Sequence, residues 1–251
     1  MRVSIAQFKS ALGAADENFS TAARLIEAAQ PCDVIVLPEL WSTGYYPTPV
    51  ENFADDVGHR TIDFICAAAK KFSVNIVGGS VIVNDGGKIF NRCHVANRSG
   101  QIVAAYDKTH LFGFAGEDDV FSAGNELTTF ELDGVICGAA ICYDLRFPET
   151  IRRLALGGAE IIFVPAAWSL KRLRPRQILT KARAIENQLF VVFANSAGIS
   201  EVVDPRGEVI IEGGRDTGIL TAEINFDVRR DVRAAMNLLA DRNFSVDTIS
   251  N

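Results

Sequence analysis

A mixed α/β fold is predicted by three observations. Two apolar runs, DVIVL (33–37) and VICGAAI (135–141), lack polar alternation and read as strands buried on both faces, the pattern of parallel pairing. Stretches with apolar residues at helical spacing lie between such runs. Residues 74–106 instead string strand-like segments together through the turn sequences NDGG and RSG, which is hairpin chemistry. Parallel and antiparallel pairing therefore coexist. With 251 residues, 48% of them hydrophobic, the chain is long enough to bury one sizeable core, and a single domain over 1–251 is expected.

Residues 2–7 open as a strand, and 16–29 follow as a helix whose Phe19, Ala22, Ala23, Ile26 and Ala29 share a face. The strand at 33–37 runs into PEL, which leaves Glu39 emerging at a strand end. WSTGYYPTP (41–49), with Tyr45 inside it, is rich in Gly, Pro and aromatics and reads as a loop that walls a site. Residues 61–72 place Ile62, Ile65, Cys66, Ala69 and Phe72 on one helical face, with Lys70 and Lys71 where the helix dipole favours cations. Three antiparallel strands follow at 74–83, 88–97 and 101–106.

Residues 107–125, DKTHLFGFAGEDDVFSAGN, have no sustained period and form a long connection to a strand at 128–132. Beyond the strand at 135–141, Pro148 marks the start of a helix that stops at Gly157 and Gly158. A strand at 160–164 ends in PAAW, which brings Trp168 to another strand end. KRLRPR (171–176) is the one basic cluster; it reads as a solvated entrance to a helix at 177–186, with a charge suited to drawing anions in. A buried strand at 189–195 and alternating strand and turn signals to 224 complete the pattern. The tail, 227–251, is polar with scattered apolar residues, suited to a short helix and an arm onto a partner subunit.

Composition narrows the partners. A net charge of -6, with the remaining basic residues dispersed, argues against nucleic acid. No apolar run approaches the ~18 residues of a membrane span and no charged-then-apolar leader follows Met1, so a cytosolic protein with no membrane partner is expected. Cys32, Cys66, Cys93, Cys137 and Cys142 are odd in number and lack metal-ligand spacing, so reduced thiols without a metal site are expected.

The stretch 134–150, GVICGAAICYDLRFPET, organises the chemistry. Cys142 falls between a strand end and a helix start, on a tight turn that points a thiol at open space. The backbone N–H groups of Tyr143 and Asp144 lie where negative charge would be stabilised. Taken singly, Cys142 also reads as a small core residue, and Glu39 or Lys108 as a solvated surface charge. As a set they differ: three strand-end positions supply a thiol, a carboxylate that can take its proton, and an ammonium that lowers its pKa and donates to an oxyanion beside the Tyr143 N–H. Cys137 sits inside the apolar run and is expected to be inert.

LPELWSTGY, YDKTHLF with GED following, and ICYDLRFPE resemble, in order, the three catalytic motifs of the carbon-nitrogen hydrolase (nitrilase) superfamily. KARAIENQLFVVFANSAG is similar to that family's later helix and strand. The resemblance implies Glu39 as general base, Lys108 as oxyanion stabiliser and Cys142 as nucleophile, acting through a thioester. It also implies a four-layer α-β-β-α sandwich that pairs as a homodimer or larger homo-oligomer, with no cofactor. Glu117 resembles a second carboxylate that orients substrate, with Asp118 and Asp119 as the alternative inward carboxylates.

The motifs look most like the ω-amidase branch, which deamidates small monoamides of dicarboxylic acids. Arg146, four residues past Cys142, suits a bidentate carboxylate clamp; the alternative is a pair with Asp144 or Glu149. Tyr45 and Trp168 are the aromatic candidates for binding substrate. N-carbamoyl amidohydrolases and deaminated glutathione amidases have similar motifs, whereas a nitrile substrate fits less well because Tyr143 and Asp144 stand where the nitrile-specific branch usually has Trp and a different run. Two readings from other classes are a papain-type hydrolase using His59, His94 or His110 as base, and a non-catalytic scaffold.

Overall fold

Two β-sheets stack face to face in the computed structural model, which describes residues 1–243, and helices cover the outer face of each. The chain builds the first sheet with β1 (Arg2–Gln7), α1 (Ala15–Ala28), β2 (Val34–Val36), the two-residue β3 (Asp55–Asp56), α2 (His59–Phe72), β4 (Asn75–Val77), β5 (Val81–Asp85), β6 (Lys88–Ala96) and β7 (Ile102–Asp107). The second comprises β8 (Thr129–Leu132), β9 (Val135–Ala139), α3 (Pro148–Leu156), β10 (Ile161–Ala166), α4 (Leu173–Asn187), β11 (Phe190–Asn195), β12 (Glu201–Val203) and β13 (Val209–Glu212). The chain returns to the first sheet as β14 (Gly218–Glu223), antiparallel to β1, and continues into α5 (Phe226–Ala235). Strand order is β14-β1-β2-β4-β6-β5-β3, with β7 on the other edge of β6, and β13-β12-β11-β10-β9-β8.

Both faces of each central strand are covered, which is why these strands read as unbroken apolar runs. Val3, Ile5 and Val36 of the first sheet meet Phe130, Phe163 and Phe190 of the second in an inter-sheet core. The alternate residues point outward: Ile35 and Ile76 pack on Ala22, Ile26 and Ile65 of α1 and α2. Ile162 and Val191 pack on Ile151, Leu154 and Ala184 of α3 and α4. The order of layers is helix, sheet, sheet, helix, as the resemblance implied. The parallel β1–β2–β4 and β9–β10–β11 pairings bring the C-terminal ends of β2, β9 and β10 to where the site is built.

Several local expectations are corrected by tertiary packing. The expected strand 74–83 is two strands, because Gly78–Ser80 turn against the segment after β2; a Cβ on Gly79 would lie 2.2 Å from the Pro38 carbonyl oxygen. The expected strand 135–141 stops at Ala139, and Ile136 is exposed beside the Gly157–Gly158 turn after α3. On α1 the exposed Ala23 cedes its place in the buried face to Leu25. Trp41 does not wall a pocket: it is fully buried among Phe8, Phe19 and Phe64 and donates its indole N–H to the Gly78 carbonyl at 2.7 Å. In the basic cluster Arg176 is buried and paired with Glu201 at 2.6 Å, so the helix entrance is only partly solvated.

The tail as far as residue 243 docks on its own chain. Phe226 packs edge-on against Phe190, Arg229 pairs with Glu160 at 2.7 Å, and Gln188 bonds both the Met236 carbonyl and the Leu238 N–H. The remainder of the arm expected to contact a partner, 244–251, lies outside the described residues.

One buried base makes the fold acid-sensitive. His94 on β6 sits under Gly58, and burial followed by the nearby Arg92 pushes its pKa down to about 4. The unfolded chain binds this proton near pH 6.5, so stability contributed by the neutral ring is present above that pH and is lost as pH falls toward 4. The loss is on the order of 3 kcal/mol. In urea melts from pH 7.5 to 4, His94→Gln is expected to show a shallower loss of stability than the parent; equal slopes would contradict this.

Candidate active site

Three strand ends converge on one buried cluster. Glu39 follows β2, Lys108 follows β7 and Cys142 follows β9. Lys108 Nζ lies 2.8 Å from Glu39 Oε1 and 2.9 Å from Glu117 Oε1, and all three side chains are at most 1% exposed. A buried ammonium between two carboxylates neutralises most of a charge that neither carboxylate could hold alone in this setting. Glu39 Oε1 also accepts from Asn91 Nδ2 at 3.0 Å, and Oε2 from the Ala167 N–H at 2.8 Å. Cys142 and Glu39 line the same cavity.

Glu117 reaches this cluster because Gly116, at φ +75°, turns the chain into a single 3-10 turn that sends Glu117 inward and leaves Asp118 and Asp119 exposed. Of the three acidic residues open at the sequence level, Glu117 is thus the inward one. It accepts from the Tyr45 hydroxyl at 3.0 Å and the Phe112 N–H at 2.8 Å.

Cys142 opens a short 3-10 turn with φ +45°, a left-handed backbone that costs a non-glycine residue energy and aims the side chain off the strand axis. Asp144 holds that turn. Its buried carboxylate accepts from the Ile141 N–H at 2.8 Å, the Tyr106 hydroxyl at 2.7 Å and the His110 N–H at 2.9 Å. The Asp144 N–H is used up on the Ile141 carbonyl, so of the two N–H groups expected to face an oxyanion only that of Tyr143 has no acceptor among the described residues.

The electrostatics correct one expectation. Burial, and then the Glu39 charge, push the Cys142 thiol well above its ordinary range, although Lys108 pulls it down. The resting Cys142 is therefore a protonated thiol, which would need a base to react as a nucleophile. Burial opposes charge on Lys108 too, but Glu39, Cys142 and Glu117 outweigh it and hold the ammonium above the usual lysine range. Burial and then Glu39 raise Glu117, while burial and then Glu39 raise Tyr45, whose phenol stays neutral. Burial, and then the Glu160 charge, raise Cys137 strongly, and burial alone raises Cys93 to about 12, so neither is a thiolate.

A cavity of 620 Å³ opens above the thiol. Glu39 and Cys142 line it together with Tyr45, Tyr143, Arg146 and Trp168, so every sequence-level substrate candidate faces the same space. Arg146 pairs with neither Asp144 nor Glu149; its guanidinium lies 4.7 Å from the Trp168 ring centroid and 5.9 Å from that of Tyr143. Trp168 is fixed by its indole N–H to the Arg172 carbonyl and its main-chain N–H to Asn195. Arg172 of the basic cluster also lines the cavity, with Lys9.

None of the three histidines does. His110 Nδ1 is 2.9 Å from Asp144 and its ring stacks on Phe147, His94 is buried, and His59 is exposed at the start of α2. Asn91 and the Ala167 N–H escaped the sequence reading. Asn91 had a signal: in KIFNRCHVA it interrupts the inward row Ile89, Cys93, Val95. The Ala167 N–H, a backbone group, had none.

Comparison with known proteins identifies the family. The carbon-nitrogen hydrolase family model matches residues 2–234. The chain is 41% identical to 2-oxoglutaramate amidase of Bacillus subtilis (strain 168), over 95% of this chain and 96% of that one. It is 32% identical to 2-oxoglutaramate amidase of Paenarthrobacter nicotinovorans, over 90% and 84%. The structure of Saccharomyces cerevisiae Nit3, a member of branch 10 of the nitrilase superfamily, superposes with a TM-score of 0.91 at 29% identity, covering 97% of each chain. The chain belongs to the carbon-nitrogen hydrolase family, in the nitrilase superfamily, and is a hydrolase of carbon-nitrogen bonds other than peptide bonds.

Proposed function

We propose that this hydrolase is an ω-amidase that deamidates a small monoamide of a dicarboxylic acid, 2-oxoglutaramate being the first candidate. The observation that carries this reading is a guanidinium, Arg146, in the same cavity as the thiol, unpaired with Asp144 or Glu149 and seated on Trp168. The similarity to two 2-oxoglutaramate amidases supports it.

In this reading Cys142 attacks the amide carbonyl as Glu39 takes the thiol proton. The oxyanion of the tetrahedral intermediate is stabilised by Lys108 and the Tyr143 N–H. Glu39 returns the proton to the departing ammonia, then removes one from the water that cleaves the thioester and releases the acid. Glu117 keeps Lys108 charged and fixes the Tyr45 phenol at the mouth of the site. Arg146 holds the distal carboxylate and Trp168 backs the guanidinium. We also infer a single domain and a homodimer or larger homo-oligomer in the cytoplasm, with the tail from residue 227 contributing to subunit contact.

Arg146→Lys separates clamp from scaffold. It loses the planar fork, so KM for the ω-monoamide is expected to rise about tenfold or more, while a neutral amide of equal length is hydrolysed nearly as before. Ammonia release measured on both substrates decides. Equal loss on the two, with a fall in melting temperature, would remove Arg146 from the binding site and leave only a general amidase.

A further inference from the structure

We propose that Asn91 is the positioning residue of the general base, its side-chain N–H fixing Glu39 while its main-chain carbonyl fixes the peptide of Lys108. The distances are 3.0 Å from Asn91 Nδ2 to Glu39 Oε1 and 2.9 Å from the Lys108 N–H to the Asn91 carbonyl oxygen. One residue in the middle of β6 thus ties together the two groups that act on the nucleophile. The inference rests on Glu39 being the base, as proposed above.

The register of Asn91 argues for this role. β6 is flanked by β5 on one edge and β7 on the other, and the side chains of Ile89, Cys93 and Val95 on the same face are all buried in apolar clusters. Asn91 is 1% exposed, and its Oδ1 has no protein donor among the described residues. A residue serving only the fold would be apolar at this register, or would satisfy both of its amide atoms. Asn91 does neither; its side chain makes one hydrogen bond, and that bond goes to the base.

The consequence for Glu39 is geometric. Asn91 and Lys108 grip Oε1 and the Ala167 N–H grips Oε2, so the carboxylate plane is fixed at the wall of the cavity that Cys142 also lines. Without Asn91, Oε1 keeps only the Lys108 ammonium, whose three donors set no single direction, and Oε2 the Ala167 N–H. The charged or titratable groups around Glu39 are Lys108, Glu117, Tyr45 and Cys142. Asn91 adds a neutral side-chain donor, which favours the carboxylate form, so its loss is expected to move the acid limb of the pH profile up.

The test is Asn91→Leu, which keeps the branching and the number of side-chain heavy atoms, is somewhat larger and lacks the donor, assayed against Glu39→Gln for kcat, KM, melting temperature and pH profile. The expected result is a kcat lower by about 10- to 100-fold with KM within about threefold, a melting temperature equal to or above the parent's, and an acid limb moved up by about half to one pH unit. If Asn91→Leu does not fold, Asn91→Ser, smaller and still polar, is read by the same criteria. A parental kcat and acid limb, or a joint fall of kcat and melting temperature with an unmoved limb, overturns the role of Asn91. Retained activity in Glu39→Gln overturns the base assignment itself and this proposal with it. An inactive Glu39→Gln beside a parent-like Asn91→Leu removes Asn91 alone.

Discussion

Lys108→Met is expected to lower kcat by about a thousandfold and to destabilise the protein at neutral pH by about 3–5 kcal/mol. Methionine is unbranched like lysine and one side-chain atom shorter, so it removes the charge and the donors with little other change. Catalysis loses an oxyanion donor, an effect of about 10²–10³ by itself, and loses the cation paired with the base. Stability falls because Glu39 and Glu117, both buried, then face each other with no cation between them. One of them takes a proton, and at neutral pH that proton must be drawn from a dilute pool. The deficit relative to the parent is therefore expected to narrow as pH falls toward 5, where protonation is easier. Melts of both proteins at pH 7.5 and pH 5 check this, beside ammonia release. A fully active, equally stable Lys108→Met would show that the ammonium neither serves the reaction nor holds the carboxylates.

Glu39→Gln carries the second large effect, a loss of kcat of about 10²–10⁴ with the fold retained. Because the resting thiol is pushed up by burial and by Glu39, little thiolate exists before the base acts. The same carboxylate then activates water, so both half-reactions lose their proton acceptor. Gln keeps the size of the side chain and one acceptor oxygen. Lys108 retains Glu117 as its counter-ion, so the stability penalty is expected to be small beside that of Lys108→Met.

How much of this was legible before the fold was known follows from where each signal resides. Glu39 and Cys142 were readable because each directly follows an apolar run whose end is visible in the chain, and Lys108 because a strand and a turn-rich loop meet there. The layers were less so: local periodicity specifies strands and helices, but not that β14 returns to β1 across the whole chain. That pairing depends on contacts between distant segments. The choice among Glu117, Asp118 and Asp119 depended on one left-handed glycine, Gly116, which a sequence shows only as a glycine. Trp41 misled because a Gly- and Pro-rich loop normally stays at the surface, whereas the Phe8, Phe19 and Phe64 rings that bury it come from three other segments. The oxyanion donors illustrate the same limit. Both Tyr143 and Asp144 offer an N–H at the right spacing, and only the turn geometry consumes one of them.

The central claim is that Cys142, and no other thiol, is acylated by substrate. The most direct measurement is peptide mass analysis of acid-quenched enzyme during turnover of the ω-monoamide, with Glu39→Gln included to slow release of the acyl group. The account predicts a mass increase equal to substrate minus ammonia on the Cys142 peptide, with Cys137, five residues earlier and buried in β9, unlabelled as the internal control. An adduct on Cys137 or on any other cysteine, or no adduct in either enzyme while ammonia is being released, would contradict it.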